Sequence, residues 1–142
     1  MLSRLTVVAL AAAVSVNNCI GKPRNQRVVE NLFAAFNRHD LDVMEKLYSE
    51  DAELRSSDFC SPRRGRNEVR RTYKELFDSF PDLRDDVQIL VVQDDRVAVK
   101  FVSRSTARGP FKVEIATFLT LRNGHIVSDE SVFDTAGRPC SK

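Results

Sequence analysis

Residues 66–92 read RNEVRRTYKELFDSFPDLRDDVQILVV, and the hydrophobic period changes within them. Val69, Tyr73, Leu76, Phe77 and Phe80 are spaced four, three, one and three apart, which places them on one face of a helix starting near Arg66. Pro81 ends that helix, because proline has no N–H to give to the ladder and its ring clashes with the preceding turn. From Val87 onward the pattern is that of strands. The chain is therefore helical before Pro81 and strand-like after Leu83, an α+β order in one domain.

Upstream, Val28, Val29, Leu32, Phe33 and Phe36 fall on one helical face, and that helix stops in Asn37-Arg38-His39. Asp40 caps a second helix over 41–48. Residues 51–57 read as a short strand, followed by a polar loop through Pro62 and Gly65. Downstream, strands are predicted over 87–92, 97–106, 111–121 and 125–133. Asp94-Asp95, Arg108-Gly109-Pro110 and Arg122-Asn123-Gly124 join them as hairpins. The third of these strands is rather apolar on both faces, with Val113, Ile115, Leu119 and Leu121 on one side and Ala116 and Phe118 on the other. Helices cover one face, so the other predicts a homodimer through the outer side of the sheet, or cover by the chain termini.

The 142 residues are 42% hydrophobic and 30% charged with five Gly and five Pro, which excludes a disordered or collagen-like chain. A net charge of +2 gives no electrostatic argument for a nucleic-acid partner. Residues 1–22 have the layout of an export leader: Arg4, an apolar run over 5–16, then Asn17, Asn18 and Lys22. The run is too short to span a bilayer of ~30 Å as a helix. Small residues over 11–15 suit ordinary signal peptidase, whereas Cys19 offers a lipidated first residue preceded by a poor Asn17-Asn18 pair. The expected location is periplasmic or extracellular, with membrane attachment only through a lipidated Cys19. In an oxidising compartment Cys60 and Cys140 form a bridge worth about 4 kcal/mol, or they remain two partly buried thiols. The domain is expected over 23–138 with a tail at 139–142.

Five signposts, Phe36-Asn37-Arg38-His39-Asp40-Leu41-Asp42, Leu47-Tyr48-Ser49-Glu50-Asp51-Ala52, Phe80-Pro81-Asp82-Leu83, Asp94-Asp95-Arg96-Val97-Ala98-Val99 and Gly124-His125-Ile126-Val127, occur in order. Together they resemble the SnoaL-like, polyketide cyclase-like branch of the nuclear transport factor 2-like superfamily, over about 26–135. The resemblance implies a cone of three N-terminal helices packed on a curved antiparallel sheet, often dimeric, enclosing a small-molecule pocket. The superfamily hosts several chemistries, so the fold names no reaction.

Ketosteroid isomerases of this superfamily use a carboxylate base, a Tyr and a protonated Asp. By register those positions hold Ser56, Leu32 and Ala116, which argues against that enzyme. The hairpin that carries His-Thr-Gly in many SnoaL-like cyclases reads Ser105-Thr106-Ala107-Arg108-Gly109 here, without the His. On the last strand a frequent carboxylate position holds Ser131, while Asp129 lies one pleat away as a candidate acid or base, or as a solvated carboxylate. The resemblance points Glu114, Ala116 and Phe118 toward the pocket. Glu114 is then either a buried base or an ion-pair partner of Lys100 or Arg104. Asp58 shares the parity of Ser56 and is a third candidate for the missing base.

Tyr48 and Tyr73 read as core residues with hydroxyls at the pocket edge, and Phe118, Ser131 and Phe133 as an apolar wall with one polar handle. His39 and His125 fall in turns and read as solvated. Arg63, Arg64, Arg66, Arg70 and Arg71 read as a solvated, paired face or as an anion site at a helix start. No metal or organic cofactor is implied. The expected function is binding of a small, largely apolar molecule, with any catalysis of proton-transfer type. A non-catalytic dimerisation module is the competing reading. An open cavity above ~300 Å³ holding Glu114 or Asp129 favours the first, and one filled by Phe33, Phe36, Phe118 and Phe133 the second.

Overall fold

The computed structural model describes residues 22–141. The expected leader, apart from Lys22, and the lipidation candidate Cys19 lie outside the described residues. The elements are α1 (Arg24–Asn37), α2 (Leu41–Leu47), β1 (Tyr48–Ser56), β2 (Arg63–Arg64), α3 (Arg66–Ser79), β3 (Arg84–Gln93), β4 (Arg96–Ser105), β5 (Phe111–Arg122) and β6 (His125–Val132). The α+β cone expected from the sequence is the observed architecture.

Local chemistry sets the helix limits. His39 turns out of α1 with φ 56°, and Asp40 then accepts from the Val43 N–H at 3.1 Å to start α2. Gly65, at φ 92°, occupies a backbone region that side chains rarely adopt, and it starts α3 while its N–H donates to the Ala52 carbonyl at 2.8 Å. Phe80 and Pro81 close α3.

The strands form one sheet in the order β2-β1-β6-β5-β4-β3. All its pairings are antiparallel except β1 with β6, which run parallel, so the sheet is mixed rather than purely antiparallel. Irregularities steer the faces. In β3, Val87 pairs with Phe101 and Ile89 with Lys100, so Gln88 is an extra residue. That slip puts Asp85 on the inner face beside Ser103 while Leu90 and Val92 also turn to the core. Between β5 and β6 the register slips between Thr120 and Leu121, which lets both Ile126 and Asp129 face inward.

The core lies between the helices and the inner face of the sheet. Val29, Leu32, Phe33 and Phe36 of α1 meet Val97, Val99 and Phe101 of β4 and Leu119 and Leu121 of β5. Phe33 packs edge-on to Phe101 with centroids 5.0 Å apart. A side chain clasps the two layers together: Asn37 Nδ2 donates to the Asp85 carbonyl and Asn37 Oδ1 accepts from the Asp85 N–H, both at 2.8 Å.

Cys60 and Cys140 are joined in a disulfide, with Cα atoms 4.9 Å apart. The residues expected as a tail are held against the domain, since Ser141 pairs with Phe59 and its N–H donates to the Asp58 carbonyl at 2.6 Å. The outer face of the sheet exposes Ile89 (55%), Val91 (56%), Phe118 (52%) and Val132 (49%). Ladder pairing places Val91 and Phe118 in one cross-strand row through Ala98, and Ile89 and Val132 in the next through Lys100 and Ala116.

Asn37→Ala deprives two backbone groups of their partners and is expected to cost about 1–3 kcal/mol. Urea unfolding should show a lower midpoint with an unchanged slope; an unaltered midpoint would show that the clasp contributes nothing.

Candidate functional site

α1, α3 and the inner face of β1, β3, β4, β5 and β6 enclose a cavity of about 190 Å³. It falls short of the ~300 Å³ set above for the binding reading, so that size expectation is not met, yet it holds Asp129, lacks Phe118 and exceeds the ~150 Å³ engineered cavity that admits benzene. Its walls are largely aromatic, with Phe33, Phe36, Phe59, Tyr73, Phe101 and Phe133 among them. Its polar lining includes Ser56, Asp58, Thr72, Asp85, Ser103, Thr117, Asp129 and Ser131. Arg55 also borders it, but its guanidinium bonds Glu53 and its side chain is half exposed.

Asp129 is the centre of a hydroxyl network. It is 3% exposed, not solvated. Its Oδ2 accepts from Tyr48 at 2.7 Å and from Tyr73 at 3.4 Å, and its Oδ1 accepts from Thr117 at 2.7 Å. Tyr48 and Tyr73 hydroxyls lie 3.0 Å apart, and Ser131 Oγ sits 3.2 Å from Thr117 Oγ1. Burial raises the Asp129 carboxyl above the usual carboxylate range, against the opposing pull of Tyr48, Thr117 and Tyr73. Burial and the neighbouring Asp129 charge hold both tyrosines well above their usual range, so they serve as donors. Tyr48 itself lies behind the cavity wall, fully buried, and only Tyr73 of the pair lines it.

Asp85 is a second buried carboxylate, which the sequence reading did not single out. It is 8% exposed, and its Oδ1 has no hydrogen-bond partner. Burial pushes its carboxyl up to about 7, only partly offset by a hydrogen bond from Ser103. A strict period-two reading groups Asp85 with the outward Ile89 and Val91, and the extra residue Gln88 breaks that parity.

The expected wall on β5 is corrected. Ile115 and Thr117 face the cavity, whereas Glu114, Ala116 and Phe118 lie on the opposite face. Alternation was read correctly, but two apolar faces left the inward one undetermined. Glu114 is exposed and pairs with Lys100 at 3.3 Å, so it is not a buried base. Ser56, Asp58, Tyr73, Ser131 and Phe133 line the cavity, with Asp58 accepting from Ser56.

His39 is half-buried rather than solvated, stacked on Phe77 with centroids 4.0 Å apart and its Nε2 2.9 Å from the Leu83 carbonyl oxygen. The arginine cluster is a paired face: Arg64 with Glu53, Arg70 with Asp42 and Glu45, and Arg71 with Glu68 and Glu75. Arg66 donates to the Tyr48 carbonyl, and Arg63 stacks over Phe59. Among the described residues no group of three His, Cys, Asp or Glu side chains is arranged to hold a metal ion.

Because Asp85 holds its proton up to about 7 when folded and to ~3.9 when unfolded, the native state binds more protons between those values. Stability therefore falls as pH rises from about 4 to about 7 and is level beyond, with Asp129 adding a slope of the same sign. Asp85→Asn should flatten much of this slope and raise stability near pH 8 by about 1–3 kcal/mol, read from urea midpoints across the range. A variant with the parent's slope would contradict the assignment.

A family model described as a SnoaL-like domain matches residues 29–129. No curated protein matches the chain at a significant level. Among solved structures, the chain is similar to wild-type IdmH from Streptomyces antibioticus, a candidate polyketide cyclase, at 23% identity and TM-score 0.71, covering 80% of this chain and 94% of that one. TerC co-crystallised with polyporic acid matches at 19% identity and TM-score 0.73, covering 80% and 94%. A protein with a ketosteroid isomerase-like fold from Catenulispora acidiphila, in complex with trimethylamine, matches at 19% identity and TM-score 0.70, covering 76% and 85%.

Proposed function

This chain belongs to the SnoaL-like family, and we propose that it binds a small, largely apolar molecule in its cone and moves a proton on it. The observation that carries this reading is a buried carboxyl, Asp129, wired to a cavity-lining tyrosine inside aromatic walls. Isomerisation, cyclisation and dehydration of a carbonyl compound share one demand. A base must take a proton from carbon while a donor holds the oxygen on which charge develops.

Asp129 supplies the base, its elevated carboxyl bringing it closer to neutral pH than an ordinary aspartate. Tyr48 already gives its proton to Asp129, so Tyr73 can turn its own toward a ligand oxygen at the expense of its contacts with Tyr48 and Asp129. Low solvent access strengthens both interactions. The complexes of TerC with polyporic acid and of the Catenulispora protein with trimethylamine support ligand binding by this fold.

The exposed Ile89, Val91, Phe118 and Val132 support a homodimer through the outer sheet face, as the dimerisation reading requires. The Cys60–Cys140 disulfide supports an exported protein, anchored to a membrane only where Cys19 is lipidated.

Deuterium uptake from heavy water into a small cyclic enone such as cyclohexenone tests the chemistry by NMR. Asp129→Asn should slow it roughly hundredfold or more. Uptake no faster than in buffer, or unaffected by the variant, sinks the proton-transfer reading. For the dimer, light scattering should give twice the mature chain mass for the parent and a monomer for Phe118→Glu; a monomeric parent refutes it.

A further inference from the structure

The ionisable side chains that line the cavity are Asp58, Tyr73, Asp85 and Asp129, which bear negative charge when ionised, and Arg55, whose guanidinium is bonded to Glu53. They differ in how far their hydrogen-bonding capacity is used. Asp129 accepts from three hydroxyls. Asp85 keeps Oδ1 without a partner although the residue is more than nine-tenths buried. An unpartnered carboxylate oxygen at a cavity wall is costly unless a ligand donor reaches it. The same cavity is lined by aromatic rings, whose faces attract cations through their quadrupole.

We infer that the ligand carries an organic ammonium group, paired with the Asp85 carboxylate, with its apolar body against Phe33, Phe36 and Phe101. This rests on the reading of the cone as a small-molecule site and names the chemical class that site selects. A cavity of about 190 Å³ limits the body to about one aromatic ring or a branched alkyl group.

The surroundings of Asp85 leave the ammonium without a protein competitor. α1 presents the neutral Asn37, whose amide is spent on the Asp85 backbone. β4 presents Ser103, α3 presents Tyr73, β6 presents Asp129, and the segment after β1 presents Asp58. Arg55, the cation in this lining, is engaged by Glu53. Since burial lifts the Asp85 carboxyl to about 7, an ammonium must displace its proton at low pH and meets a carboxylate at higher pH. A neutral isostere feels no such change.

The test compares benzylammonium with benzyl alcohol, one ring with a charged or a neutral head, by calorimetric titration of residues 22–142 with the disulfide intact. Near pH 8 the ammonium should bind about tenfold tighter or better, and near pH 5.5 that advantage should shrink severalfold. Asp85→Asn should abolish the advantage near pH 8, while Glu114→Gln on the outer face should preserve it. The pH series on the parent protein stands by itself should Asp85→Asn fail to fold. Equal affinities for both probes near pH 8, or an advantage kept in Asp85→Asn, overturn the ammonium assignment while leaving the cavity a binding site. Absence of binding by either probe overturns the small-molecule reading itself.

Discussion

A carboxylate can sit inside an apolar cone only if something replaces the water it loses, and in this protein three hydroxyls do so. Tyr48 comes from the start of β1, Thr117 from β5 and Tyr73 from α3, and all converge on Asp129 of β6. The network therefore joins the helical layer to three strands. Remove its centre and Tyr48, which is fully buried, loses the acceptor for its hydroxyl. The same bonds hold the Asp129 side chain in one orientation, so stability and site geometry rest on the same contacts.

Asp85 obeys the opposite logic. Its backbone is fixed by Asn37, yet one oxygen of its side chain is left unmet. Desolvation, only partly offset by Ser103, lifts its proton affinity above that of an ordinary aspartate. The two residues thus differ in how their oxygens are met, with three hydroxyls on Asp129 and a single one, from Ser103, on Asp85.

Much of this architecture was readable from residue order. Helical spacing up to Phe80, the stop at Pro81 and four strands after Leu83 place seven of the nine elements among the described residues almost where they lie, and the strand before the third helix needs only a few residues more. β2 is two residues long and carries no periodic signal. The parallel β1–β6 pairing is set by tertiary closure, since the two strands lie at distant points of the chain. The site was legible in part: Asp129, Tyr73, Ser56, Asp58, Ser131 and Phe133 were named, whereas Asp85 was hidden by one extra residue at Gln88. On β5 the alternation carried no indication of which apolar set faces the helices, because each contains residues that suit a core. Side-chain parity fails at bulges and at two-faced strands, and both failures fell on cavity walls.

The bridge between Cys60 and Cys140 joins positions separated by 80 residues, and it borders the cavity through Asp58 and Phe59. Every described helix and strand, and both buried carboxylates, precede Cys140 in the chain, and the buried apolar side chains of the core all lie between Val29 and Ile126. The bridge therefore adds nothing to the core itself: it pins the last residues to the mouth of the pocket, like a latch fitted to a finished frame.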